Sequence, residues 1–158
     1  MEENEIVIEH PNRDKASSKA AKATVLLLLL VSVALMLIVT VGGWDVLQGA
    51  KAIQIAYILI YLIMAYYVSR WNRGVLPVAA ALAILLLIFA AVAVPGWIDR
   101  DDTGFSQPTI DSGVLAIVTA LIIPVQVLLI AFAMRAFNQA WNVEVERTTD
   151  SRSTPQPA

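Results

Sequence analysis

The chain has 158 residues, 58% of them hydrophobic, no cysteine, a single histidine and a formal net charge of −2, with a mean hydropathy of +0.70. That length points to one domain, and the composition is too apolar for a soluble fold of this size. The charge balance gives nucleic-acid binding no electrostatic support, and the lack of cysteine excludes disulfides, thiolate nucleophiles and cysteine-ligated iron–sulfur clusters.

Residues 1–22 form a polar tail of mixed charge, with Glu2, Glu3, Glu5, Glu9 and Asp14 set against Arg13, Lys15, Lys19 and Lys22. Ile6-Val7-Ile8 is a short apolar patch within it, closed off by Pro11. The Ala- and Lys-rich stretch before Ala23 favours helix and can extend the first span. His10 lies in this tail, so the bundle has no imidazole for a haem or a zinc ion; Met36 and Met64 read as packing. No cofactor and no metal are expected.

Four runs contain no charged residue: 23–44, 52–69, 74–98 and 112–134, of 22, 18, 25 and 23 residues. A helix rises ~1.5 Å per residue, so about 20 residues cross a ~30 Å hydrocarbon layer. The expected fold is all-α: an integral-membrane four-helix bundle at 23–137, with helices at about 23–44, 47–69, 74–95 and 112–137. The first apolar stretch, Val25–Val41, is longer than the ~7–15 residues of a signal-peptide core and reads as an uncleaved helix. Short connections at Gly43–Leu47 and Arg70–Arg73 predict antiparallel neighbours in up-down-up-down order. The third connection, Pro95–Asp111, is acidic (Asp99, Asp101, Asp102, Asp111), but its spacing does not fit a calcium loop. Residues 138–158 form a second polar tail, expected to be disordered from about 148.

Of the 11 Lys and Arg residues, only Lys51 and Arg100 fall on the side opposite the tails, so both termini are expected in the cytoplasm. Trp44 and Trp97 are placed as anchors at the outer interface, and Trp71 and Trp141 at the inner one.

Small residues let membrane helices approach closely. The third helix carries Ala79, Ala83, Leu86, Ala90 and Ala93 on one face, and the second carries Gly49, Ala52 and Ala56; both read as contact faces. The first helix is expected to face lipid or a partner. Pro124 removes a backbone donor within the fourth helix and predicts a kink. Counting rise per residue puts Ser32, Tyr61 and Gln126 at one depth, and Thr40, Gln54 and Thr119 at another nearer the outside. Gln54, Tyr57 and Tyr61 share a face, expected to point inward and hydrogen-bond across the bundle towards Gln126. This layer is either interhelical glue or a pocket for a small molecule.

The centres of all four spans lack Asp, Glu, Lys, Arg and His. A coupled transporter needs such a group in the membrane, and the membrane carboxylate on which small four-helix multidrug exporters depend is missing. The expectation is a non-catalytic multi-pass membrane protein, an accessory or scaffolding subunit of a larger membrane complex. The alternative is a small-molecule- or lipid-binding protein, or a passive channel formed by oligomerisation. Expected partners are the bilayer and other membrane subunits or further copies of the chain, without nucleic acid. A chain lacking both cysteine and a glycosylation sequon fits the inner (plasma) membrane of a prokaryote.

Overall fold

The computed structural model describes residues 5–101 and 104–148. The expected disorder after 148 and the Asp102 part of the acidic loop lie outside them. Strand β1 (Ile6–Glu9) leads through a one-turn helix, α1 (Pro11–Asp14), into α2 (Ala16–Gly42), α3 (Ala50–Ser69), α4 (Val75–Ile98) and α5 (Ser112–Asn138), and the chain returns as strand β2 (Val145–Thr148). The four long helices are each apolar and long enough to cross a membrane.

These helices form a ring in chain order. The α4–α5 seam is the closest, α2 packs against both α5 and α3, and α3 and α4 approach each other least. The tails and the 70–74 turn gather at one end of the ring. The 43–49 and 99–111 connections gather at the other, where the Ile110 amide donates to the Gly42 carbonyl at 3.1 Å.

Helix α2 starts well before the apolar run, because its polar first turns are themselves packed: Ser18 and Ala21 are buried. It is also the most buried of the four spans, with half of its apolar window covered, so the surface expected to face lipid or a partner is confined to one side, at Leu27, Leu30, Leu37, Ile38 and Val41. Helix α3 begins at Ala50 rather than 47, because Gln48 takes a left-handed backbone (φ 42°) that interrupts helical hydrogen bonding. Helix α4 continues through Pro95 to Ile98. Its last turn is held by Trp97, which packs so closely on Gly43 that a Cβ there would lie 2.6 Å from the ring. Helix α5 runs unbroken through Pro124, which sits on its exposed side. Its start is capped by Asp111, whose carboxylate accepts from the amides of Gly113 (2.9 Å) and Val114 (3.3 Å).

The small-residue face of α4 is buried at Ala79, Ala83 and Ala90. The corresponding face of α3 is not: Gly49, Ala52 and Ala56 are exposed, and α3 turns Tyr57, Ile58, Tyr61, Met64, Ala65 and Val68 inward instead. Two tyrosine hydroxyls among apolar side chains need acceptors, and that need outweighs close approach by glycine and alanine.

The two tails are not separate. β1 and β2 pair antiparallel, with Ile6 opposite Thr148 and Glu9 opposite Val145. A Glu9–Arg147 ion pair (3.2 Å) and a His10 Nε2–Glu144 hydrogen-bond contact (3.2 Å) flank the ribbon.

Candidate functional site

Three of the polar residues singled out from the sequence meet in one chain of hydrogen bonds. The Tyr61 hydroxyl donates to Gln126 Oε1 at 2.8 Å. Gln126 Nε2 donates to Ser32 Oγ at 2.9 Å. Ser32 Oγ in turn donates to the Leu28 carbonyl within its own helix at 2.7 Å. All three side chains are fully buried, and together they tie α3 to α5 and α5 to α2. Both hydroxyls of this cluster, Tyr61 and Ser32, have an acceptor. Among the described residues, Ser18 Oγ is the single buried side-chain polar atom without a partner.

The other two members sit apart from that cluster. Gln54 Oε1 accepts from Thr40 Oγ1 at 2.6 Å, linking α3 to α2 nearer the far end. Tyr57 donates to the Leu82 carbonyl of α4 at 3.2 Å and meets Tyr61 and Phe89 edge to face. Thr119, expected with Thr40 and Gln54, is spent on the Leu115 carbonyl of its own helix.

Gln54 and Tyr57 also border a cavity that the sequence did not disclose. About 360 Å³ of space lies between α3 and α4, walled by Ile53, Gln54 and Tyr57 on one side and by Leu86, Phe89, Ala90, Ala93 and Trp97 on the other. Met36, Thr119 and Ile122 form its floor and Arg100 stands at its end. Ile53, Phe89 and Ala93 are exposed at the outer surface, so the cavity is a groove open sideways between the two helices. The signal that could have found it is the run Ala90, Ala93, Gly96 on α4 facing Ala50 and Ile53 on α3. Small side chains on a seam that no loop closes leave volume unfilled.

The four tryptophans divide by burial. Trp44 is half exposed, with the Lys51 ammonium 4.6 Å from its ring centroid. Trp71 is half-buried and takes the Lys22 ammonium at 4.1 Å. Trp97 and Trp141 are covered by protein, so their rings pack in the fold and are not free to lie among lipid headgroups. Trp141 packs edge to face on Trp71, centroids 5.1 Å apart, and the carbonyl of Trp141 accepts from Arg13 Nε at 2.9 Å. Arg73 Nε donates to the Phe137 carbonyl at 2.6 Å and Asn12 Nδ2 to the Ala140 carbonyl at 3.0 Å. The tail end of the bundle is thus tied by cations and an amide that meet the Phe137 carbonyl in the last turn of α5 and the Ala140 and Trp141 carbonyls just beyond it.

Among the described residues no group of three His, Cys, Asp or Glu side chains is placed to hold a metal ion. Comparison with protein families, with curated proteins and with solved structures finds no match to this chain.

Proposed function

We propose that the protein is a non-catalytic multi-pass membrane protein that serves as an accessory or scaffolding subunit of a larger membrane complex, in a prokaryotic plasma membrane with both tails in the cytoplasm. The observation that carries this reading is the division of labour between inside and outside. Buried polar groups at the middle of the spans, Tyr61, Gln126 and Ser32, bond to one another. The outward face of α3 keeps the small residues Gly49, Ala52 and Ala56, flanked by exposed Ile53, Ile60 and Ile63. Close packing of small residues is what draws membrane helices together. The paired tails add a folded polar element at one end, where soluble domains of neighbouring subunits can dock.

Purification from the source membrane in mild detergent, with mass spectrometry of what accompanies the chain, tests this. Partner proteins at fixed ratio are expected, and Ala52→Leu with Ala56→Leu on the exposed face should release them while the bundle stays folded. A chain that purifies alone, or only with copies of itself, overturns the reading.

A further inference from the structure

We infer that the groove between α3 and α4 holds one acyl chain of an anionic membrane phospholipid, with its phosphate at Arg100. This goes beyond the scaffold reading and stands or falls separately from it.

The first argument is length. From Leu86 to Arg100 the chain rises ~21 Å at ~1.5 Å per residue. Half of a ~40–45 Å bilayer, headgroups included, is about the same. The groove therefore runs from the headgroup level to the midplane, the depth of one leaflet. Its volume of about 360 Å³ falls within the ~300–1,000 Å³ of small-molecule sites but near the lower limit. That suits a single chain better than a bulky ring system.

The second argument is where polarity falls along that depth. The midplane end is apolar, at Leu86, Phe89 and Ile122. Part-way up, the groove is lined by Gln54, whose amide meets Thr40 Oγ1 at 2.6 Å, and by Tyr57 and Thr119, whose hydroxyls donate to the Leu82 and Leu115 carbonyls. The surface end has the protein-packed Trp97 ring and the Arg100 guanidinium 5.8 Å from its centroid. Among the described residues, Arg100 Nη1 donates to the Ser106 carbonyl at 3.4 Å and no carboxylate side chain pairs with the guanidinium. Guanidinium is the side chain best matched to a phosphate. Apolar, then amide- and hydroxyl-bearing, then aromatic and cationic is the order in which a phospholipid presents chain, ester and phosphate.

The third argument is access. The groove opens sideways, so a chain enters from the bilayer without crossing water.

The full-length chain is reconstituted in nanodiscs holding equal amounts of phosphatidylglycerol and phosphatidylcholine with the same acyl chains. It is then washed through lipid-free detergent, and retained lipid is counted by native mass spectrometry. One phosphatidylglycerol per chain is expected to survive. Ala93→Trp, which fills the groove from its exposed wall, should cut retention about tenfold, as should Ile53→Trp from the opposite wall, each with thermal unfolding no lower than the parent. Two walls are tested so that one badly folded variant does not decide the matter. Arg100→Gln should keep lipid but lose the preference for phosphatidylglycerol by about tenfold, the loss of one charged hydrogen bond. Equal retention of the two lipids by the parent, undiminished retention in both folded tryptophan variants, or a neutral small molecule or protein in place of lipid would each overturn the proposal.

Discussion

The two ends of the bundle use the same materials to opposite effect. At the tail end, Trp141 is fully buried against Trp71, with Lys22 over the Trp71 ring and Arg13, Arg73 and Asn12 on the nearby carbonyls. At the far end, Trp97 and Arg100 border a groove instead of plugging one. The difference follows from connectivity. The 70–74 turn joins α3 to α4 at the tail end, so their first contact is covalent. At the far end α3 is joined to α2 and α4 to α5, and no loop ties α3 to α4, which are linked deeper in the bundle by Tyr57 to the Leu82 carbonyl and the Phe89 ring. Polar ties compensate across the other seams, with Tyr61–Gln126–Ser32 and Thr40–Gln54 both reaching α2. A ring of four antiparallel helices thus opens along the one seam whose loop is at the wrong end to close it.

Several substitutions break or sharpen this contrast, each read by unfolding titration in bicelles. Trp141→Ala should cost about 3–5 kcal/mol, as for other buried aromatics, and Trp97→Ala clearly less, because Trp97 already borders empty space. The reverse order would mean that the far end is the tighter one. Gln126→Leu should cost about 1–3 kcal/mol, since it removes both bonds of the buried chain and membrane hydrogen bonds are worth about 0.6–1.7 kcal/mol each; a neutral result would assign the cohesion of the bundle to packing alone. Gly43→Ala should cost only about 1–2 kcal/mol, within the usual range for overpacking, because the displaced Trp97 ring can move towards the groove. A loss well above that would show a far end without room to yield. Smallest, Ala140→Gly should gain up to about 1 kcal/mol at the tail end, where Ala140 holds a left-handed backbone (φ 49°) that glycine adopts without steric penalty.

Much of this was readable residue by residue. Charge-free runs marked the four helices because hydrocarbon tolerates so few exceptions. Counting helical rise set Ser32, Tyr61 and Gln126 at one depth, and the three are joined by hydrogen bonds. What failed was rotation about the helix axis. The Gly49–Ala52–Ala56 face of α3 reads as a contact face on size alone, and only competition with the two tyrosines turns it outward. Helix α2 is so uniformly Leu, Ile and Val that no face stands out, and its central place comes from its two neighbours. The pairing of Ile6–Glu9 with Val145–Thr148 joins opposite ends of the chain, a separation that local pattern cannot report. The groove depends on which loop lies at which end and on the tilt of two helices, neither of which any single residue encodes.

The β1–β2 ribbon also has a place in time. During synthesis at about 5–20 residues per second, Ile6–Glu9 leaves the ribosome roughly 10–30 s before its partner strand exists. If the four helices span a membrane as proposed, the ribbon closes only when an even number of spans has brought the last residues back to the side of the first. A chain that misses one insertion leaves its amino-terminal strand an open edge, of the kind that invites aggregation or proteolysis. Closure of these eight residues is therefore a receipt for completed topology, and a cross-link between positions 7 and 147, which face each other across the ribbon, would report on nascent chains which of them have finished threading the bilayer.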